Sequence, residues 1–427
     1  MEMATLLGLS IALMAGLFMS RVVKPLKLPA VTGYLIAGIL IGPYCLGRLG
    51  ITGVGFASVD EVTSLSILND VALGFIAFAI GDEFRLEQLK HTGKQATIIG
   101  IFQAVATTLV VDGALIGLHF ILGEERLPLS SAIILGAIAS ATAPAATLMV
   151  VRQYKAKGRL TNLLLPIVAL DDAVGLIIFA VSFGVAKALV HGEFSLVSIL
   201  VDPLAEIVFS LVLGAILGWF LSFSEKFFHS RSKRQAIVIT AIFLAVALSK
   251  LKFSIGPVHV GFSPLLVCMM LGTIFCNVCD FSANLMEKTD RWTTPLFILF
   301  FVLSGAELEF SVFSDLSIIG IGVIYIIARS LGKYFGAGIS AKVSKCEPHI
   351  QKYLGITLLP QAGVALGMSI TAMSIGESGI IIRNIVLFGV LIYELFGPTL
   401  TKIALTKAGD ISPKPETEKV PLPKGRV

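Results

Sequence analysis

Charged residues are scarce in this chain. Lys, Arg, Asp and Glu make up 14% of its 427 residues, whereas soluble domains average about 25%. Hydrophobic residues make up 56%, and the mean hydropathy is +0.90. This balance excludes an ordinary soluble domain and predicts a membrane protein that crosses the bilayer many times.

Cysteines and cofactor motifs are also scarce. The chain has five cysteines, and its Cys276-x-x-Cys279 pair has no second pair and no histidine nearby. Neither a disulfide framework nor a zinc or redox site is therefore expected. No nucleotide-binding motif or long polar insert interrupts the apolar segments. Any transport is expected to need no cofactor and to be passive or driven by ion gradients.

Thirteen apolar stretches are long enough for a helical crossing, which takes roughly 20 residues. They predict an all-α polytopic membrane fold. The predicted spans are 3–20, 28–46, 64–81, 96–122, 130–151, 161–189, 203–223, 234–249, 258–279, 293–312, 316–342, 353–375 and 380–405.

Basic residues between the spans predict the orientation. Loops after odd-numbered spans hold nineteen Lys and Arg, whereas even-numbered loops and their helix ends hold six. Cytoplasmic loops are enriched in these residues, so we expect an inner-membrane protein with its N-terminus outside and its C-terminus in the cytoplasm. The net charge of +5 follows from this bias and from the basic tail, 408–427, which is expected to be disordered. It does not indicate a nucleic-acid partner.

Two similar segments indicate an internal duplication. "FAIGDEFRLEQL" (78–89) ends the third span, and "FVLSGAELEFSV" (301–312) ends the tenth. Seven spans separate them, so they face opposite sides of the membrane, as in inverted-topology repeats. The predicted divisions are a transmembrane domain at 1–407, repeats at approximately 1–190 and 234–407, and a linker helix at 203–223.

The repeats predict two broken helices. The fifth span contains "GAIASATAPAAT", with Pro144 near its middle, and its repeat mate, the twelfth, contains "GITLLPQAGVALG", with Pro360 and Gly363. Proline removes a backbone donor, and glycine loosens the helix. Two discontinuous helices crossing near the midplane would offer free amides and carbonyls as an ion site.

Adjacent acids interrupt the sixth span, "IVALDDAVGL", at Asp171 and Asp172. A carboxylate at the bilayer centre costs about 2.5 kcal/mol or more on insertion scales. Adjacent helical residues point about 100° apart, so the two should have different partners. The eleventh span, "IIARSLGKYFGAG", carries Arg329 and Lys333 on one face. We expect one aspartate to pair with Lys333 and the other to face a water-filled cavity.

Four further polar residues are weaker candidates. Thr142, at the break of the fifth span, could offer its hydroxyl oxygen to a cation or cap a helix, and Gln361 is its counterpart in the twelfth span. Asp112 and Glu394 could line the same core or pair with neighbouring residues.

Together these motifs resemble the monovalent cation:proton antiporter-2 family, in particular its bacterial sodium/proton exchangers with thirteen helices and paired aspartates. The similarity covers nearly all of residues 1–407. The segments that carry it are "LPAVTGYLIAGILIGP" (28–43), "ATAPAAT" (141–147), "LDDAVGL" (170–176), "RSLGK" (329–333), "LLPQAGVALG" (358–367) and "YELFGPTLTK" (393–402).

The resemblance implies the sodium/proton antiporter fold, with a dimerisation domain, a mobile six-helix core and two crossed, discontinuous helices in a homodimer. It implies that Asp172 carries Na⁺ and H⁺, and that Asp171 contributes to the ion site as the partner of Lys333. Paired aspartates resemble those of electrogenic members. In one departure, Ala143 follows Thr142 where related sodium exchangers have an aspartate, so the preferred cation stays open.

The sequence therefore predicts a secondary antiporter, rather than an enzyme, that exchanges Na⁺ or Li⁺ for H⁺ across a lipid bilayer. The alternative is a K⁺/H⁺ antiporter or a potassium-efflux-type protein, although the nucleotide-binding regulatory domain of the efflux proteins does not occur in this sequence. A channel or a non-transporting membrane sensor is less favoured, because neither a filter-like repeat nor a substantial soluble output domain is found.

Overall fold

A computed structural model describes residues 2–51, 54–191, 202–228, 230–251, 253–255, 258–308 and 316–411. The predicted disordered tail beyond residue 411 and the end of the second repeated segment, 309–312, lie outside the described residues.

Helices form almost all of the described chain. In order they are α1 (Glu2–Val23), α2 (Ala30–Ile41), α3 (Val59–Thr63), α4 (Ser66–Gly81), α5 (Leu86–Leu122), α6 (Leu129–Ala139), α7 (Pro144–Gln153), α8 (Arg159–His191), α9 (Asp202–Ser224), α10 (Arg231–Ser249), α11 (Pro264–Val278), α12 (Ser282–Trp292), α13 (Thr294–Glu307), α14 (Leu316–Val343), α15 (Pro348–Thr357), α16 (Gly363–Ala372) and α17 (Glu377–Ala408). Two short strands, β1 (Phe253–Ile255) and β2 (Val258–Val260), pair antiparallel between α10 and α11.

The helices agree with the thirteen predicted spans. Nine stretches of the described chain are long and apolar enough to cross a bilayer, and α6 and α7 together form one of them. Four shorter apolar helices, α4, α11, α13 and α16, occupy the third, ninth, tenth and twelfth predicted spans. The protein is therefore a multi-pass α-helical membrane protein.

The predicted start of the ninth span is wrong. The ninth span was expected to begin at residue 258, but Val258–Val260 forms a strand and the helix begins at Pro264. Proline suits the first position of a helix because its missing N–H would have no partner there. The Ser263 hydroxyl caps the same end by accepting a hydrogen bond from the Leu266 amide (3.4 Å). The cap therefore sets the start of the helix inside the predicted span.

Close packing of α2 against α13 depends on two glycines. A Cβ atom on Gly38 would lie 2.0 Å from the Val302 carbonyl oxygen, and one on Gly305 would lie 2.3 Å from the Leu35 carbonyl oxygen. Any larger residue would push the two backbones apart.

A second crossing, of α4 against α11, has the same design. A Cβ atom on Gly81 would lie 2.4 Å from the Met269 carbonyl oxygen, and one on Gly272 would lie 2.2 Å from the Phe78 carbonyl oxygen. Gly81 and Gly305 belong to the two similar segments noted in the sequence. In the predicted duplication, the second span corresponds to the ninth and the third to the tenth. The crossing of α2 with α13 therefore corresponds to the crossing of α11 with α4.

The helices pack as two groups. The core group contains α5 to α8 and α14 to α17, in which α5 packs along α14 and α17 packs on α14, α15 and α16. The scaffold group contains α1, α2, α4, α10, α11 and α13, and α9 packs on it through α11. The helix breaks and the acidic pair all lie in the core group.

Candidate ion site

Both predicted helix breaks are present, and they contact each other. Residues 140–143 separate α6 from α7, and residues 358–362 separate α15 from α16. The Ala143 amide donates to the Pro360 carbonyl oxygen (2.8 Å). The Thr142 hydroxyl lies 3.4 Å from the Leu358 carbonyl oxygen. The two discontinuous helices therefore cross, as predicted.

Arg329 binds the carbonyl oxygens exposed at these breaks. This fully buried guanidinium donates from Nε to Ala139 (2.9 Å), from Nη2 to Ala141 (2.7 Å) and from Nη1 to Leu359 (2.7 Å). The last carbonyls of a helix lack intrahelical partners and carry partial negative charge. Arg329 therefore holds the C-terminal ends of α6 and α15 together, and its hydrogen bonds go to the backbone rather than to an aspartate.

Lys333 lies one turn further along α14 and pairs with Asp171. Its Nζ is 2.9 Å from Asp171 Oδ2, and both side chains are fully buried. The same ammonium group donates to the Ser140 carbonyl oxygen (2.5 Å) and to the Thr142 hydroxyl oxygen (2.9 Å). The expected pairing of one aspartate with Lys333 is thus present, and it involves Asp171.

The Asp171 carboxylate is saturated with hydrogen bonds. Its Oδ2 accepts from Lys333 and from the Thr142 hydroxyl (2.6 Å), and its Oδ1 accepts from the Gln103 side-chain amide. These donors, one of them charged, compensate the cost of burying this carboxylate.

Asp172, the next residue, is in the opposite situation. It is 2% exposed, and neither of its carboxylate oxygens has a hydrogen-bond partner within the described residues. The turn of about 100° between adjacent helical residues carries it away from the donors that surround Asp171. Asp172 therefore has its full capacity to bind a proton or a metal cation.

Gln103 was not identified from the sequence, although it is central here. Its side chain on α5 accepts from Lys333 Nζ (2.9 Å) and donates to Asp171, and it is fully buried. The available signal was a lone amide in the apolar stretch "IFQAVATTLVV". A polar side chain in a bilayer-spanning helix needs a partner inside the protein.

Gln361 forms hydrogen bonds across the crossing of the broken helices, and none of them is to Asp171 or Asp172. Its Nε2 donates to the Ile138 carbonyl oxygen (3.0 Å) and to the Tyr325 hydroxyl (2.9 Å). It therefore ties the second break to the end of α6 and to α14.

The two remaining candidates lie elsewhere. The Asp112 carboxylate lies against Gly136 of α6, where an added Cβ would be 1.8 Å from Oδ1. On α17, the Tyr393 ring lies under Arg329, 4.4 Å from its guanidinium carbon. Glu394 follows about 100° further around the helix, and its Oε2 has no hydrogen-bond partner among the described residues.

A cavity of about 450 Å³ extends along α8 on the same face as Asp172. Leu176, Phe179 and Phe183 line it, at helical spacings of four, seven and eleven residues from Asp172. Lys187 of α8 and Glu206 of α9 also line it, and α16 forms the opposite wall. The cavity therefore lies between the core group and α9.

Comparison with known proteins places this architecture in a family. The model of the transmembrane sodium/hydrogen exchanger family matches residues 9–406. The chain is 24% identical over 399 residues to a probable Na⁺/H⁺ antiporter 3 of Methanocaldococcus jannaschii, covering 90% of this chain and 92% of the relative. It is 22% identical over 409 residues to the Na⁺/H⁺ antiporter NhaS4 of Synechocystis, covering 92% and 95%.

A solved structure has the same fold. The sodium proton antiporter MjNhaP1 of Methanocaldococcus jannaschii superposes with a TM-score of 0.71 at 18% identity, over 96% of this chain and 99% of that one. The crossed broken helices, the buried acidic pair and the match over almost the whole chain lead to one conclusion: this protein belongs to the transmembrane sodium/hydrogen exchanger family.

Proposed function

We propose that this protein is a secondary antiporter that exchanges Na⁺ or Li⁺ for H⁺ by alternating access, with Asp172 as the carrier. The observation that carries this proposal is the contrast between two adjacent buried acids. Asp171 is saturated by Lys333 and its neighbours, whereas both oxygens of Asp172 are free of hydrogen bonds within the described residues. Membership of the sodium/hydrogen exchanger family favours Na⁺ over K⁺.

Exchange follows from competition for one carboxylate. A proton or a sodium ion neutralises Asp172, and only the neutralised core group can carry its site through the apolar barrier. The bare anion is held back by its desolvation cost. Because Na⁺ and H⁺ bind the same carboxylate in turn, their transport is coupled although the two ions are never bound to it together.

Lys333 and Asp171 supply the second part of the cycle. If Lys333 releases its proton when Na⁺ binds, two protons move per sodium ion and exchange is electrogenic; if it only bridges helices, the aspartates set the stoichiometry. The Thr142 hydroxyl donates to Asp171 and accepts from Lys333. We assign it the role of orienting this pair, so that its oxygen reaches a cation only when the pair opens.

The cavity along α8 is the proposed access route to Asp172. It follows the Asp172 face of α8 toward the C-terminal end of that helix, which the distribution of basic residues assigns to the outside. The proposed location is the inner membrane of the cell, with the N-terminus outside and the C-terminus in the cytoplasm. We further propose a homodimer in which the scaffold groups meet while the core groups move.

The test is cation-dependent proton movement in proteoliposomes containing the purified protein and a pH-sensitive dye. Na⁺, Li⁺ and K⁺ are compared, with the membrane potential set by an ionophore. We expect a response to Na⁺ and Li⁺, its loss in Asp172→Asn, and its retention in Asp280→Asn, which changes an exposed aspartate. No response to any cation would overturn the exchanger function, and activity in Asp172→Asn would overturn the assigned carrier.

A further inference from the structure

The start of α2 is a place where the core group and the scaffold group touch through polar contacts. α2 belongs to the scaffold group, and it packs on α7 and α17 of the core group. Three core side chains, Gln153, Tyr154 and Lys402, bind the backbone of segment 24–30, which joins α1 to α2. The hydrogen bonds that surround Asp171 come from other residues.

Gln153, at the end of α7, caps α2. Its Oε1 accepts a hydrogen bond from the Ala30 amide (2.8 Å). The first amides of a helix have no partner within the helix, and the residue before Ala30 is Pro29, whose side chain provides no cap. A side chain of the core group therefore supplies the cap of a scaffold helix.

Tyr154 and Lys402 bind the carbonyl oxygens of the same segment. The Tyr154 hydroxyl lies 3.4 Å from the Leu28 carbonyl oxygen, and Lys402 Nζ donates to the Lys27 carbonyl oxygen. The Lys402 ammonium also lies 4.8 Å from the centroid of the Tyr154 ring, within the range of a cation–π contact. The end of α7 and the side of α17 therefore contact the segment together.

The turn that they contact is itself well defined. The Leu28 amide donates to the Val23 carbonyl oxygen (3.3 Å), and the Lys27 amide donates to the Lys24 carbonyl oxygen (3.0 Å). These two bonds form a Schellman motif at the end of α1, with Lys27 at φ +58°, the left-handed position that glycine usually occupies. The turn therefore holds the carbonyls of Lys27 and Leu28 in fixed directions.

These contacts and the cavity lie toward opposite ends of α8. Residues 154–158 connect α7 to α8, so the contacts with segment 24–30 lie near the N-terminal end of α8. The cavity lies toward the C-terminal end, where Lys187 of α8 and Glu206 of α9 line it. The core group is thus in contact with the scaffold group at one end and separated from α9 at the other.

We propose that Gln153, Tyr154 and Lys402 form a clasp on segment 24–30. The clasp holds the core group against the scaffold group while Asp172 faces the cavity, and it opens when the core group carries Asp172 to the other side of the membrane. This role rests on the alternating access proposed above. The three clasp residues are positioning residues, because they act on the orientation of the core group and not on the ion.

The chemistry of the clasp suits a contact that breaks in every cycle. Gln153 and Lys27 are exposed to solvent, so water can replace each hydrogen bond when the clasp opens. The net contribution of such a bond is small because water takes over its groups. Several weak contacts can therefore hold one state of the core group and still release it.

The first test ties the clasp shut. Lys27→Cys and Lys402→Cys are combined with Cys45→Ser, which removes the exposed native cysteine. The purified protein is joined across this pair in detergent with a bifunctional methanethiosulfonate reagent, and half of the sample is then reduced. Both halves are reconstituted, and sodium-dependent proton exchange is measured. We expect exchange to be lost in the cross-linked half and recovered in the reduced half.

The matched control joins two residues of the core group. Arg159 and Glu347 form an exposed ion pair between the starts of α8 and α15, so Arg159→Cys with Glu347→Cys places a cross-link that does not tie the core group to the scaffold group. Cross-linking this pair should leave exchange intact. Exchange that continues after the Lys27 and Lys402 positions are joined, or that is lost equally with the control pair, would overturn the clasp.

The second test asks whether the clasp opens as a unit. Hydrogen–deuterium exchange of the Ala30 amide is followed by mass spectrometry on the full-length protein in lipid nanodiscs. Lys402→Gln leaves the bond between Ala30 and Gln153 in place, yet it should speed exchange at Ala30 about two- to tenfold, since the closed clasp loses one contact. Lys407→Gln, which changes an exposed lysine on the same helix, should leave the rate unchanged. Equal rates in the two variants would overturn the clasp.

The two tests separate failure of the clasp from failure of the proposed exchange. Amide exchange at Ala30 needs no ion transport, so it tests the clasp even if the wild type moves no protons, a result that would overturn the antiporter function. Wild-type exchange that persists through the cross-link would retain the antiporter function and overturn the clasp.

Discussion

Lys333 and Asp171 form a fully buried ion pair in which Nζ lies 2.9 Å from Oδ2, while the adjacent Asp172 has no partner among the described residues. One helix thereby presents a compensated acid and an uncompensated one at successive positions. In the proposed mechanism, the first fixes the geometry of the crossing and the second binds the transported ion.

Lys333→Gln should destabilise the protein strongly. It removes the cation from the buried pair and leaves the Asp171 carboxylate uncompensated, which costs about 3–5 kcal/mol in comparable buried pairs. The measurement is thermal unfolding in detergent. Arg291→Gln is the control, because it breaks an exposed pair with Glu287 and should change the free energy of unfolding by less than about 1 kcal/mol. Equal stability of Lys333→Gln and wild type would contradict the structural importance of the pair.

Sodium affinity should fall as pH falls. If Na⁺ and H⁺ compete for Asp172, protonation at low pH removes the sodium-binding form, and the apparent KM for Na⁺ rises by up to about tenfold per pH unit for one competing proton. At higher pH, where the carboxylate is ionised, KM should become independent of pH. Initial exchange rates measured over sodium concentration at several pH values provide the test. A KM that stays constant over the whole range would argue against a shared site.

Arg329→Lys should loosen the crossing while keeping the charge. A lysine ammonium cannot reproduce the planar guanidinium fork that binds the carbonyls of Ala139, Ala141 and Leu359. We expect a loss of about 1–3 kcal/mol, since buried carbonyls lose their donors, together with reduced exchange. Arg48→Lys, at an exposed position, is the matched control. Full activity and stability of Arg329→Lys would indicate that charge alone holds the breaks.

Gly305→Ala should destabilise the scaffold group. Its new Cβ would lie 2.3 Å from the Leu35 carbonyl oxygen of α2, so the two helices must separate. The control is Gly320→Ala on α14, where no atom lies within 4 Å of the added Cβ. Alanine favours helix over glycine by up to about 1 kcal/mol, so the control should be neutral or slightly stabilising. A lower melting temperature than wild type for Gly305→Ala, with an unchanged or higher one for Gly320→Ala, would support the close crossing. Equal changes in melting temperature for the two variants would refute it.

Much of the fold could be predicted because it depends on local chemistry. Hydropathy and segment length located the spans, and prolines at residues 144 and 360 located the breaks, since both properties act within a few residues. The predicted start of α11 was wrong because Ser263 and Pro264 begin the helix inside the stretch that hydropathy assigned to the span. Local hydropathy carries no information about such a cap.

The candidate site was predictable in its charged members but not in its polar ones. Asp171, Asp172, Lys333 and Arg329 stood out because charges are costly in a bilayer. Gln103 did not, because an amide is tolerated at lower cost and its importance depends on which side chains it meets. Glu394 stood out, but it takes no part in the hydrogen bonds around Asp171; on its helix it is the preceding residue, Tyr393, that lies against Arg329.

Hydropathy and the positions of the prolines and acids along the chain were enough to predict a helical membrane protein with two broken helices and an acidic pair within one span. The three-dimensional packing was needed to show that Asp171 pairs with Lys333, that Arg329 binds backbone carbonyls, and that Asp172 has no hydrogen-bond partner among the described residues. The physical reason is geometric: hydropathy and helix breaking are set along the chain, whereas the choice of partner depends on the rotation and crossing of helices brought together from opposite ends of it.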